Sequence, residues 1–287
     1  ERETAEGLIV HLQEEPVGDI VVESIERKKE NKNPPLLYNL AELQNDCSKL
    51  FKISPDETLR IVQELYEKKM VTYPRTDARV LSTAVAKEIH KNIAGLRGYG
   101  HVSEFAAEIL AGGSYKGIAK TRYVNDKQIT DHYAIIPTGQ GLNNLNGLHP
   151  LSAKVYEVIA RRFLSIFYPP AVYQKFALCI GVKEEKFFAN FKVLAEEGYL
   201  KVTTYSFKKD PAKDGTKDTG AKKDEYQNDE ADSAKTDESE EADIKCDEEF
   251  LALLKTLKKG DLLTAESYEI KEGETSPPKR YSSGSII

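Results

Sequence analysis

The sequence predicts a multidomain α+β protein in which a mostly helical, winged-helix-like domain is inserted into a split β-rich domain. Three observations lead there. Strand-like runs occupy both flanks, a block with helical periodicity lies between them, and proline pairs at Pro34-Pro35 and Pro169-Pro170 mark the joins. At 287 residues the chain is long enough for more than one domain. Neither flank alone is long enough for a good sheet, so the two are expected to form one.

Residues 1–33 constitute the first β stretch. Leu8-Ile9-Val10-His11-Leu12 and Ile20-Val21-Val22 read as strand material, and the polar run Glu26–Asn33 reads as a linker. Residues 34–170 are the helical block. Asn39 is an N-cap with Glu42 three residues on, and Leu40, Leu43, Cys47, Leu50 and Phe51 then share one face. Ser54-Pro55-Asp56-Glu57 is a capping box with proline at the first helical position. The helix it opens, Thr58 to Lys69, presents Leu59, Val62, Leu65 and Tyr66 to a core. Met70-Val71-Thr72-Tyr73 is β-prone and ends at Pro74. Helix, turn, helix, strand is how a winged-helix unit opens. Further helices are expected near Ser82, with Val85, Ile89 and Ile93, and from about Ser152 to Ile166.

Residues 171–276 return to strand patterning at 171–173, 176–180, 186–189, 200–203, 262–263 and 268–270. Between 208 and 249 lie 16 acidic and 8 basic residues with no sustained apolar period, so a mobile acidic insertion is expected there. The remainder holds 31 acidic and 33 basic residues. The net charge of −6 therefore does not argue against nucleic-acid binding by the folded part.

Composition excludes several classes. There is no run of eighteen apolar residues for a membrane helix, and the acidic start Glu1-Arg2-Glu3 is no secretory signal. The three cysteines, Cys47, Cys179 and Cys246, are far apart and form no CxxC pair, against both a disulfide framework and a cysteine zinc site. A reducing, cytoplasmic setting is expected. The only methionine is Met70, so the chain is expected to be an internal piece of something longer.

Two strings carry chemistry. In Val71-Thr72-Tyr73-Pro74-Arg75-Thr76-Asp77, proline stops the strand just after a tyrosine, and Arg75 brings a permanent fork of donors suited to phosphate oxygens. A phenol with a pKa of about 10 is a poor nucleophile unless a cation stabilises its oxyanion. A phosphodiester under attack also needs positive charge on its nonbridging oxygens. Tyr73 and Arg75 together supply both, and Asp77 can orient the arginine or a neighbour. In isolation, a Tyr-x-Arg is far more often a half-buried tyrosine beside a surface arginine. The second string is Thr130-Asp131-His132-Tyr133-Ala134-Ile135-Ile136-Pro137-Thr138. Here His132 sits beside an acid and before a compact apolar strand, which suits a proton carrier. His11, His90, His101 and His149 lack such company.

In combination these strings resemble the type IA DNA topoisomerases, most closely the topoisomerase III branch. The resemblance runs in order through Pro34-Pro35-Leu36, Leu40-Ala41-Glu42-Leu43-Gln44, Gln63-Glu64-Leu65-Tyr66-Glu67 and residues 71–82 to the 130–138 string. It recurs at Pro277-Pro278-Lys279-Arg280-Tyr281. Tyr133 replaces the second histidine of the family's Asp-His-His motif, and Ser283 stands where an acid is usual. The resemblance implies that Tyr73 attacks a single-stranded DNA phosphate to leave a 5′-phosphotyrosine, with religation needing no ATP. It also implies that Arg75 positions the phosphate, that His132 contacts the phosphate or the transferring proton, and that Asp77 supports them. Arg79 and Arg280 are implied as DNA contacts.

By the same resemblance, residues 1–33 and 171–276 correspond to an arch, 34–170 to the tyrosine-bearing domain of a toroid, and 277–287 to the start of a following gate-side domain. Mg²⁺ is implied as a cofactor bound by a Toprim domain that this chain lacks, so no metal ligand is expected here. The Toprim and gate domains of the same polypeptide are expected partners, with a helicase beside them, at a bacterial nucleoid. The chain by itself is expected to fold but not to cleave DNA. The alternative is a winged-helix DNA-binding module without chemistry, with Thr58, Arg60 and Gln63 on a recognition helix; it leaves the 130–138 string unexplained.

Overall fold

The computed structural model describes residues 2–208 and 248–273. In chain order they form α1 (Arg2–Gln13), β1 (Ile20–Lys32), α2 (Leu40–Phe51), α3 (Pro55–Glu67), α4 (Thr83–Leu96), α5 (Ser103–Gly112), α6 (Pro150–Ser165), β2 (Ala171–Val182), β3 (Glu185–Glu196), α7 (Glu248–Thr256) and β4 (Leu262–Leu263). These divide into a β-rich unit (2–32, 171–196 and 248–273) and a helical unit (33–170 and 197–208).

In the β-rich unit, four strands make one antiparallel sheet in the order β3-β2-β1-β4. The long strands β1 and β2 pair from Ile20 opposite Val182 to Lys32 opposite Ala171, with an irregularity between Val22 and Ser24. One sheet face carries Val22, Phe176 and Val193, which pack with Leu254 and Leu257 from and just after α7. Phe250 meets Phe191 edge-on, with ring centroids 5.3 Å apart. The last turn of a helix leaves carbonyls without partners, and a cation there also complements the helix dipole. Arg27 fills that role, donating through Nη2 to the carbonyls of Leu254 (2.9 Å) and Leu257 (2.5 Å).

Several expected strands differ. Residues 8–12 form the end of α1, because five residues of apolar sequence fit either period and Leu12 alone of α1 becomes fully buried. The carbonyls at the end of α1 accept from Lys183 in the β2–β3 turn, at His11 (2.5 Å) and Glu14 (2.8 Å). Residues 262–263 form β4, whereas 268–270 form no strand. Helix α7 takes up the last two residues, 248 and 249, of the stretch expected as an acidic insertion, and in the sequence Asp247-Glu248-Glu249 ahead of Phe250-Leu251 is a helix start signal. Of the acidic insertion, residues 209–247 lie outside the described residues, as do 274–287 and with them Arg280.

In the helical unit the caps are as read. Asn39 Oδ1 accepts from the Glu42 amide (2.9 Å), Ser54 Oγ from Glu57 (3.1 Å) and Ser82 Oγ from Val85 (3.2 Å). The core joins Leu43 and Cys47 of α2, Ile61, Val62 and Leu65 of α3, Ile89 and Ile93 of α4, and much of α6. Helix α6 is buried from Val155 to Ser165 without a break, including Glu157, Arg161 and Arg162. Buried charges must be paired. Arg162 donates to Asp46 Oδ2 (2.8 Å), Tyr38 Oη (3.2 Å) and the Leu36 carbonyl (3.1 Å), and lies 4.3 Å above the Tyr38 ring. Tyr38 in turn donates to Asp46 at 2.5 Å, and burial above all pushes its phenol well above its ordinary pKa. Arg161 donates to Glu157 (2.6 Å) and to the carbonyls of Val202 and His101 (2.9 Å each).

That second pair explains why 197–208 belong to the helical unit and interrupt the β range expected at 171–276. The stretch expected as strand at 200–203 is a 3-10 turn over Gly198–Val202. It brings Val202 into the core and lets Ser206 donate to Glu157 through its amide (2.8 Å) and hydroxyl (2.5 Å).

Two substitutions test this packing. Gly95 lies in α4, where alanine ordinarily favours a helix by about 1 kcal/mol. A Cβ there would sit 2.1 Å from the Gly139 carbonyl oxygen, backbone that a side-chain rotation cannot clear. Gly95→Ala therefore lowers stability by about 1–3 kcal/mol, the range for overpacking, as read by urea unfolding. Arg162→Met leaves Asp46 buried without its cation and costs about 3–5 kcal/mol, seen as a fall in the denaturation midpoint at unchanged slope.

Candidate active site

The site is built where α3 ends. The Lys69 amide bonds to the Tyr66 carbonyl (2.8 Å) and the Met70 amide to Leu65 (2.9 Å), with Lys69 left-handed at φ 60°. This paired closure reverses the chain and drops Met70 and Val71 into the core. The next residues lie against 134–138. The Thr72 amide donates to the Ile136 carbonyl (3.0 Å), the Thr138 amide to Met70 (2.9 Å), and Val71 bridges Pro137.

Three threonine hydroxyls complete the join, that of Thr138 by donating to the Lys69 carbonyl (2.5 Å). Thr72 Oγ1 donates to the Ala134 carbonyl (3.0 Å) and accepts from the Ile136 amide (2.9 Å). Thr76 Oγ1 donates to the His132 carbonyl (2.7 Å) and accepts from the Ala78 amide (3.1 Å). With Ala134, Ile135 and Ile136 buried on one side, the other side opens on a cleft of about 510 Å³.

Tyr73 and His132, 59 residues apart in sequence, line this cleft with ring centroids 4.3 Å apart and planes at 42°. Tyr66 meets Tyr73 at 5.4 Å and 82°. Lys69, Tyr133 and Gln140 add to the walls, and burial raises the pKa of the Tyr133 phenol. Tyr73 Oη and the His132 ring make no hydrogen bond among the described residues, and both residues line the cleft. Arg75 and Asp77 are exposed on the same segment but outside the cleft wall, and neither side chain is paired among the described residues. The Asp77 carbonyl accepts from Asn39 (3.1 Å).

Arg79 is turned the other way, donating to the Leu37 carbonyl (3.3 Å) and lying 3.7 Å from Glu42. Asp131, the acid beside His132, makes no bond to its ring; the Thr76 hydroxyl holds the histidine's main chain instead. Thr58 cannot read DNA from a recognition helix, since it is fully buried and bonded to the Ser54 carbonyl. Tyr66, expected in the core, is 39% exposed in the cleft. Its place at the closing turn of α3, seven residues before Tyr73, was the available signal.

The family described as DNA topoisomerase matches residues 1–287, so the chain belongs to the DNA topoisomerases, in their type IA class. Among relatives, DNA topoisomerase 3 of Bacillus licheniformis is 32% identical over 268 residues, 93% of this chain and 31% of that protein. DNA topoisomerase 3 of Bacillus subtilis is 31% identical over 270 residues, 93% and 32% of the two chains. The chain thus spans about a third of the length of the curated relatives it matches. Full-length topoisomerase I from Thermotoga maritima superposes with a TM-score of 0.48 at 21% identity, over 70% of this chain and 31% of that one. No helix among the described residues is long and apolar enough to cross a membrane.

The threonine join is open to test. Thr72→Val keeps the shape but leaves the Ile136 amide and Ala134 carbonyl without their partner. It should cost about 1–3 kcal/mol and weaken the nuclear Overhauser contact between the Tyr73 and His132 rings.

Proposed function

We propose that this chain carries the DNA-cleaving tyrosine of a type IA topoisomerase and that Tyr73 is the nucleophile. The observation that carries this reading is the Tyr73–His132 ring pair at 4.3 Å on an open cleft, with the unpaired Arg75 guanidinium just beyond Pro74. Tyr73 Oη attacks a phosphorus of single-stranded DNA. The bond to the 3′ oxygen breaks, and that oxygen leaves as a hydroxyl carrying a proton. The product is a 5′-phosphotyrosine whose ester keeps the energy of the broken bond, so the hydroxyl attacks back without ATP after another strand has passed.

Arg75 offers its fork to the nonbridging oxygens, where charge develops. His132, its ring tilted against the phenol, contacts the phosphate or moves the proton, and Asp77 steadies Arg75. Arg79 acts at one remove, since its contacts with Leu37 and Glu42 tie the 75–79 segment to α2. Arg280 is read as a contact to the DNA backbone.

The family implies Mg²⁺. The described residues gather no group of three or more His, Cys, Asp or Glu side chains that would hold an ion, so the residues present do not fit it and no step here is assigned to it. On this reading its ligands lie on the Toprim domain. Residues 34–170 are the winged-helix-like tyrosine-bearing domain, the β-rich flanks are the arch of the toroid, and the isolated chain does not cleave DNA.

In the full-length protein with Mg²⁺, a 3′-end-labelled single-stranded oligonucleotide should become protein-bound, because the downstream fragment is the one retained. Tyr73→Phe should abolish the adduct while sparing noncovalent binding, and Arg75→Ala should slow its formation about 100-fold, the effect of removing one transition-state donor. An adduct formed by Tyr73→Phe would refute the assignment.

A further inference from the structure

The cleft beside Tyr73 is larger and more aromatic than phosphate chemistry alone requires. Tyr66 keeps 39% of its surface exposed although Val62 and Leu65 of the same helix are wholly buried. It is held there by the closing turn of α3, and its ring meets that of Tyr73 at 82° to make an aromatic corner. Three polar groups surround the corner. Gln140 has an amide with no partner among the described residues, and Lys69 has an ammonium with no ion pair among them. The third is the Glu67 carboxylate, which accepts from Gln63 at 3.2 Å. A carboxylate on the wall repels a phosphate but accepts from the amino group of a base.

Resting on the reading of Tyr73 as nucleophile, we propose that this cleft is a subsite for an unpaired nucleobase, with Tyr66 as its stacking platform. The base is that of the nucleotide just 3′ of the cleaved bond. That nucleotide stays joined to Tyr73 Oη through a single phosphate, so its base has to lie within reach of ring 73. Stacked on Tyr66, the base turns its edge toward Gln140, whose amide both donates and accepts and so tolerates more than one base. The phosphate remains outside, toward Arg75.

The test uses the full-length protein. Adducts of the wild-type protein on a labelled oligonucleotide first map the cleaved bond. In the Tyr73→Phe background, which prevents cleavage, fluorescence anisotropy then gives Kd for that oligonucleotide and for one abasic at the nucleotide 3′ of the mapped bond. Tyr66→Ala should weaken binding of the intact strand about 5- to 150-fold, the range for losing one stacked base, and leave the abasic strand unaffected. Tyr66→Phe should bind both like Tyr66, since the ring and not the hydroxyl is used. Equal losses on both strands, or none on either, would overturn the subsite while leaving the nucleophile reading intact. Absence of any wild-type adduct would remove the nucleophile reading, and the subsite with it.

Discussion

The cleft depends on one hydroxyl placed between two strands of main chain. Thr72 Oγ1 donates to Ala134 and accepts from Ile136, using both capacities of a hydroxyl in a single join. Neither segment is a strand of a sheet; between them they contribute one bridge and a few backbone bonds. The side-chain bonds of Thr72, Thr76 and Thr138 add to these in fixing the register of Tyr73 against His132. The two rings line the cleft, but the threonine hydroxyls help to decide that they meet.

Behind that join stands a core that is unusually ionic for its depth. Helix α6 has no solvent face over its last three turns, and its two arginines each use their full fork, one on Asp46 and Tyr38, the other on Glu157. Such pairs add little net stability relative to apolar residues, yet they tolerate few other arrangements of the groups around them. Each also reaches a main-chain carbonyl distant in sequence, at Leu36 and at Val202. The segment leading into α2 and the segment before the acidic run are thereby positioned by charge and by apolar contact together.

What could be read from the residues in order was whatever physics acts locally. Caps at Asn39, Ser54 and Ser82 formed because a short oxygen-bearing side chain satisfies an amide two or three residues on. The reading failed where local preference was even or was overridden. Residues 8–12 suit either period and became helix. Residues 200–203 look like a strand, but Arg161 and Glu157 hold the chain there in a 3-10 turn. Tyr66 falls on the apolar stripe of α3, yet the reversal after Glu67 leaves it facing open space.

The sequence by itself determined the family, the helical block around residue 73 and the identity of the residues able to do chemistry. Those depend on residue type and short spacing, which the chain carries whatever its shape. Only the tertiary structure decided that the His132 ring lies against Tyr73 while Asp131 makes no bond to it, that Arg79 is spent on Glu42, and that Tyr66 walls the cleft. Contacts across 59 residues are set by which buried polar groups find partners when the core closes. No local pattern encodes that outcome.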